Sequence, residues 1–105
     1  MQKLSFRFDG GSRQAAGRPA QLIGVVSSGN LEVLIEPAPL AGACEIEVQT
    51  AAVGFDATWA AVLRDFHERW SLADMRVAIN DVGATPAVVS LRLDQAAESI
   101  MGTTS

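Results

Sequence analysis

Few side chains in this 105-residue chain are equipped for chemistry. They are two adjacent hydroxyls, Ser27 and Ser28, a single histidine, His67, a single cysteine, Cys44, and the carboxylates Glu32, Glu36, Glu45 and Glu47. A histidine works as a base only with a partner in hydrogen-bond reach. His67 has Asp65 and Glu68 as chain neighbours, without the positional signature of a triad. A metal centre needs several imidazoles, thiolates or carboxylates at ligand spacing, and one His with one Cys does not provide it. Cys44 falls on the apolar side of an alternating segment and reads as a buried, inert thiol. The four glutamates alternate with apolar residues, so they read as the solvated side of strands. Gly24-Val25-Val26-Ser27-Ser28-Gly29 lacks the glycine density and the following helix of a dinucleotide fingerprint, and Gly10-Gly11 opens no helix. The chain therefore holds no self-sufficient active site. It offers Ser28, just before Gly29, which on residue chemistry alone is a plain turn residue.

The element that must position this serine is a β-hairpin. Leu22–Val26 is apolar and partly β-branched, and Leu31, Val33 and Ile35 alternate with Glu32, Leu34 and Glu36. Between these runs lies the polar break Ser27-Ser28-Gly29-Asn30, where Gly and Asn tolerate the positive φ of a tight turn. Ser28 is expected at the exposed tip.

The remaining elements follow from periodicity. Leu4, Phe6 and Phe8 alternate with Lys3, Ser5 and Arg7, giving a half-buried strand. Asp9–Pro19, rich in Gly and Ala and carrying Arg13 and Arg18, is expected to be a mobile loop. Pro37 and Pro39 close the hairpin, and Leu40-Ala41-Gly42 turns into a strand with Cys44, Ile46 and Val48 inward. Glu32, Glu36, Glu45 and Glu47 would make an acidic outer face. Asp56 is the expected cap of a helix reaching Trp70, with Trp59, Val62, Leu63, Phe66 and Trp70 as its apolar stripe. Met75, Val77 and Ile79 mark a further strand, which ends in the turn Asn80-Asp81-Val82-Gly83. Thr85-Pro86 reads as a cap and first helical residue. Beyond it, Val89, Leu93, Ala96, Ala97 and Ile100 fit a helix, although Val89, Leu91 and Leu93 also fit a strand. Gly102 onward is expected to fray. The fold class is α+β: a small two-layer sandwich with a mostly antiparallel sheet of about four to five strands and two helices on one face, a single domain over 1–105.

Charge and composition narrow the function classes. The net charge of −4 argues against binding a phosphate backbone and for docking on basic patches of protein partners. No apolar run approaches the ~20 residues that span a bilayer. No basic segment followed by an apolar stretch opens the chain, and the lone cysteine forms no internal disulfide, so a reducing cytoplasm is expected.

Two stretches carry a resemblance. Val25-Val26-Ser27-Ser28-Gly29-Asn30-Leu31-Glu32-Val33-Leu34-Ile35-Glu36-Pro37 resembles the N-terminal segment of the malonate decarboxylase acyl carrier (delta) subunits. Ile79-Asn80-Asp81-Val82-Gly83-Ala84-Thr85-Pro86, continued by Val88-Val89-Ser90-Leu91-Arg92-Leu93-Asp94-Gln95-Ala96, resembles their second segment. The resemblance spans nearly the whole chain apart from Asp9–Pro19 and the tail. Asn30 stands where an Asp is usual, Ser27 where a glycine is common, and Val82 where an aromatic is frequent.

The resemblance implies a carrier and not a catalyst. The serine before the hairpin glycine, Ser28 by match, would hold phosphoribosyl-dephospho-CoA through a phosphodiester, with Ser27 as the competing hydroxyl. A thiol at the end of this arm would carry acetyl and malonyl thioesters between an acyl transferase subunit and carboxylase-like decarboxylase subunits. Tethering makes each transfer effectively intramolecular. A separate loading enzyme would attach the group and supply the base that this chain lacks. The citrate lyase carrier subunit fits the Gly83-Ala84-Thr85-Pro86 stretch less well. An unmodified structural or interaction subunit, with Ser28 only a turn residue, is the alternative from another class.

Overall fold

The computed structural model describes residues 2–15, 17, 19–24 and 30–101. In chain order these form β1 (Gln2–Phe8), β2 (Gln21–Ile23), β3 (Leu31–Pro37), β4 (Cys44–Thr50), α1 (Asp56–Trp70), β5 (Met75–Asp81) and α2 (Pro86–Met101). The five strands make one sheet in the order β1-β4-β5-β3-β2. Every pairing is antiparallel except β4 with β5. That parallel pair requires a crossover, and α1 supplies it.

Alternation places the core on one face. Leu31, Val33 and Ile35 of β3, Cys44, Ile46 and Val48 of β4, and Met75, Val77 and Ile79 of β5 are all buried. Trp59, Leu63 and Phe66 of α1 and Val89, Leu93, Ala96, Ala97 and Ile100 of α2 close over them. Both helices therefore cover the same side of a mostly antiparallel sheet, giving the expected α+β sandwich. The ambiguity over residues 86–101 resolves as helix throughout. A strand would turn Leu91 to the same side as Val89 and Leu93, yet Leu91 is 57% exposed while its neighbours are buried. Thr85 Oγ1 accepts from the Val88 N–H at 3.3 Å, so this helix starts on the expected cap.

The other sheet face differs from the acidic surface read from the strands. Cross-strand register sets Arg7 opposite Glu45, Glu45 opposite Arg76, and Arg76 opposite Glu36. Arg7 donates to the Glu45 carboxylate at 2.6 Å, and Lys3 lies 3.8 Å from Glu47. Opposite charges thus alternate across the strands, an arrangement set by register.

Local chemistry departs from expectation in one further place. Asp56 is not the cap of α1: Phe55 occupies that position without a side-chain cap bond. Asp56 is the first helical residue, where a carboxylate favours the positive helix end, and it accepts from Gln2 Nε2 at 3.2 Å. Between β1 and β2 the described residues outside those strands form no strand or helix, and part of the stretch is tied across the molecule. Gly11, Ser12 and Arg13 donate backbone N–H groups to the Gly42 and Ser71 carbonyls, and Ala73 donates to the Arg13 carbonyl.

Two aspartates anchor opposite ends of the sheet. Asp81, 4% exposed, accepts from Thr50 Oγ1 at 2.8 Å, from the Ala84 N–H at 2.8 Å and from the Gly83 N–H at 3.2 Å. Asp74 accepts from the Gly42 N–H at 2.9 Å and the Leu40 N–H at 3.0 Å. These two amides hold the Asp74 carboxyl below its ordinary range.

Asp81→Ala leaves three donors without an acceptor, and chemical denaturation should show a loss of about 2 kcal/mol. For Asp74 the folded value is the depressed one. Its stabilisation is therefore complete above the ordinary aspartate value of about 3.9 and fades as pH falls through the folded value. Thermal melts of Asp74→Asn should fall below those of the natural chain at pH 6, and the gap should narrow as pH drops below about 3.9.

Candidate functional site

Ser27 and Ser28 lie outside the described residues, as do Val25, Val26 and Gly29. β2 and β3 pair antiparallel, with Ile23 opposite Val33, so the hairpin topology read from the sequence is present. β2 ends at Ile23, and Gly24 is already outside the ladder. Asn30 takes a left-handed φ of 60°, a conformation Asn tolerates better than most residues. Its carbonyl accepts from the Val82 N–H at 2.9 Å, one step beyond the Leu31–Asp81 pair.

That register decides what surrounds the segment. Leu31 opens β3, and Asp81 and Thr50 close β5 and β4 beside it. The chain then enters α1 at Asp56 and α2 at Pro86. Gly24 and Asn30, which flank the serine-bearing segment, the carboxyl ends of the parallel pair and both helix starts therefore share one end of the molecule. Free N–H groups give such helix starts partial positive charge. A groove of about 390 Å³ opens between them, lined by Phe55, Trp59, Val62, Ala84, Pro86 and Val89 among others. Phe55 at its rim is 52% exposed.

Gly24 sits at the foot of the connection with φ of +79°, the left-handed region. A Cβ there would lie 2.7 Å from the Leu31 carbonyl oxygen and 2.8 Å from Arg92 Nη1. The backbone and the arginine of α2 thus meet with no room for a side chain. Arg92 Nε is buried, and no described group accepts from it. The sequence reading passed over Arg92. The available signal was its place three residues after Val89 and four before Ala96, on the flank of an apolar stripe, where a cation is out of keeping.

His67 and Cys44 are elsewhere. His67, in the last turn of α1, stacks on Phe8 with ring centroids 4.9 Å apart. Cys44 opens β4, and it, Phe8 and His67 lie at the end of the sheet away from Asn30. Cys44 is 1% exposed, and burial, helped by Glu45, pushes its thiol up to about 12. Among the described residues no group of three or more His, Cys, Asp or Glu could hold a metal ion. No described helix is long and apolar enough to cross a membrane.

Comparison with known proteins decides the family. Residues 18–100 match the model of the malonate decarboxylase delta subunit (MdcD). The chain belongs to the malonate decarboxylase delta-subunit family. A malonate decarboxylase acyl carrier protein of Xanthomonas euvesicatoria pv. vesicatoria is 61% identical over 102 residues, 97% of each chain. One of Burkholderia cepacia is 58% identical over 101 residues, 95% of this chain and 91% of that one. Among solved structures, a chain of a Pseudomonas malonate decarboxylase hetero-tetramer in complex with malonate superposes with a TM-score of 0.82 at 40% identity. That match covers 95% of this chain and 99% of the other. The match to the delta-subunit model takes in both segments that carried the resemblance and leaves β1 outside.

In this delta-subunit chain Gly24 has no room for a side chain. Gly24→Ala combines a left-handed φ with two sub-contact approaches, so urea unfolding should register a loss of more than about 1 kcal/mol. An unchanged midpoint would mean that Arg92 and the Leu31 carbonyl move aside freely.

Proposed function

We propose that this chain is the acyl carrier of a cytoplasmic malonate decarboxylase, and that Ser28 bears phosphoribosyl-dephospho-CoA in phosphodiester linkage. The observation that carries the reading is its near full-length similarity to named malonate decarboxylase acyl carrier proteins. When bound, the group supplies a thiol on a long arm, on which acetyl and malonyl units ride as thioesters.

The residues present fit such a group. A hydroxyl pair stands on the connection between β2 and β3, and a half-buried arginine with an unpartnered Nε sits at its foot. The chain's own work is to present the hydroxyl and to stay chemically silent. β3 is held between β2 and β5, so the segment after Ile23 emerges from a paired base. Asp81 and Thr50 tie down the loop that receives the Asn30 carbonyl. Cys44 is the one cysteine of the chain, and as a buried neutral thiol it does not compete for an acyl group by thiol exchange.

The partners in this reading are an acyl transferase subunit, carboxylase-like decarboxylase subunits and the loading enzyme, with no nucleic acid or membrane. The similar Pseudomonas chain belongs to a hetero-tetramer, which supports a life inside a multisubunit assembly. A carrier needs no base at Ser28, because loading is performed by a separate enzyme and acyl transfer by another subunit.

Co-expression with the loading enzyme should add the mass of the phosphoribosyl-dephospho-CoA unit, localised by peptide fragmentation to Ser28. Ser28→Ala should abolish the adduct and Ser27→Ala should keep it; the reverse result moves the site to Ser27. Because Cys44 is buried, the native loaded chain should show one fast thiol toward an aromatic disulfide reagent and the bare chain none, until denaturant exposes Cys44. No adduct in cells that contain the full set of subunits would overturn the reading.

A further inference from the structure

We propose that Arg92 is the anion anchor of this chain, its guanidinium binding the phosphodiester through which the prosthetic group joins the Ser27–Ser28 segment. The proposal deepens the carrier reading and rests on it.

Arg92 stands apart from the other arginines. Arg7, Arg69 and Arg76 are exposed and face carboxylates, and Arg13 and Arg64 are exposed to water. Arg92 is the one described arginine that is not exposed. Among the described residues it has no ion pair, and its Nε has no acceptor although that atom is buried. Withdrawing part of a cation from water without an opposite charge is unfavourable, and the molecule tolerates it here. An arriving anion would remove that cost.

Its location selects the anion. Nη1 lies 2.8 Å from the place a Cβ would take on Gly24, so the guanidinium is pressed against the backbone where the serine-bearing connection begins. Gly24 is immediately followed by residues 25–29, and Ser28 is four positions along. A glycine at this point lets the cation come up to the backbone. On a chain of net charge −4, this is a half-buried positive group beside the proposed point of attachment. A phosphodiester keeps its negative charge through the physiological pH range, and the planar guanidinium fork donates to two phosphate oxygens at once. Lysine offers charge without the fork. Arg92 is therefore a positioning residue: it makes no covalent bond and moves no proton, but its hydrogen bonds hold the root of the arm.

The test compares bare and loaded full-length chain, made without and with the loading enzyme. The Arg92 Nε–Hε resonance, assigned by its loss in Arg92→Lys, should move downfield and exchange more slowly with water on loading. Loading should also raise the melting temperature by on the order of 5 °C in the natural chain. That rise should vanish in Arg92→Gln and persist in part in Arg92→Lys, and the phosphodiester phosphorus resonance should shift in Arg92→Gln. An Arg92 resonance identical in bare and loaded chain would overturn the proposal, whether or not Arg92→Gln folds. So would an unchanged phosphorus resonance and melting gain in Arg92→Gln. The two readings fail separately. Absence of any adduct on the natural chain removes both, whereas an adduct on Ser28 beside an indifferent Arg92 removes only this one.

Discussion

The Val82 N–H donates to the Asn30 carbonyl one step past the Leu31–Asp81 pair, and the arrangement of the candidate site depends on that extension of the ladder. Because β5 pairs with β3 on one edge and β4 on the other, a single register places three chain ends side by side. These are the start of β3 and the ends of β4 and β5. A slip of one residue would turn every buried side chain of β3 outward, so the hydrophobic pattern holds the register firmly. The position of Asn30, where the chain enters β3, is in this sense a product of core packing.

The same end gathers the groups that suit an anionic attachment. Both helices begin there, Arg92 reaches Gly24 there, and the buried Asp81 carboxylate spends its acceptors on Thr50, Gly83 and Ala84. The reactive side chains of the rest of the molecule are quiet by contrast. Cys44 is held neutral by burial, His67 is stacked on Phe8, and the glutamates of the open sheet face alternate with Arg7, Arg76 and Lys3. An acyl carrier in the proposed sense benefits from this silence.

Much of the fold was legible because periodicity is a local property. The Cys44–Thr50 and Met75–Asp81 strands and the Asp56–Trp70 helix all show their burial pattern in the residue order. The capping of α1 was misread because Asp56 is a good cap by type, while whether it sits before or inside the first turn depends on where the chain leaves β4. Residues 86–101 satisfied two periods at Val89, Leu91 and Leu93. Only the presence of β3 and β2 beneath the helix showed which face is covered, and Leu91 was left outside.

The order of residues by itself determined the element types up to residue 81, the apolar stripes, and the two segments that resemble the delta subunits. It also marked Ser28, with Ser27 beside it, as the hydroxyl to consider. Tertiary structure decided the strand order, the parallel partner of β4, the mixing of charges on the open face and the approach of Arg92 to Gly24. The physical reason is sequence separation. Gly24 and Arg92 lie far apart in the chain, as do Glu45 and Arg76, and no local preference encodes such a meeting. Each arises only when apolar faces from distant elements are buried together, and the polar groups then find whichever partners that packing has set beside them.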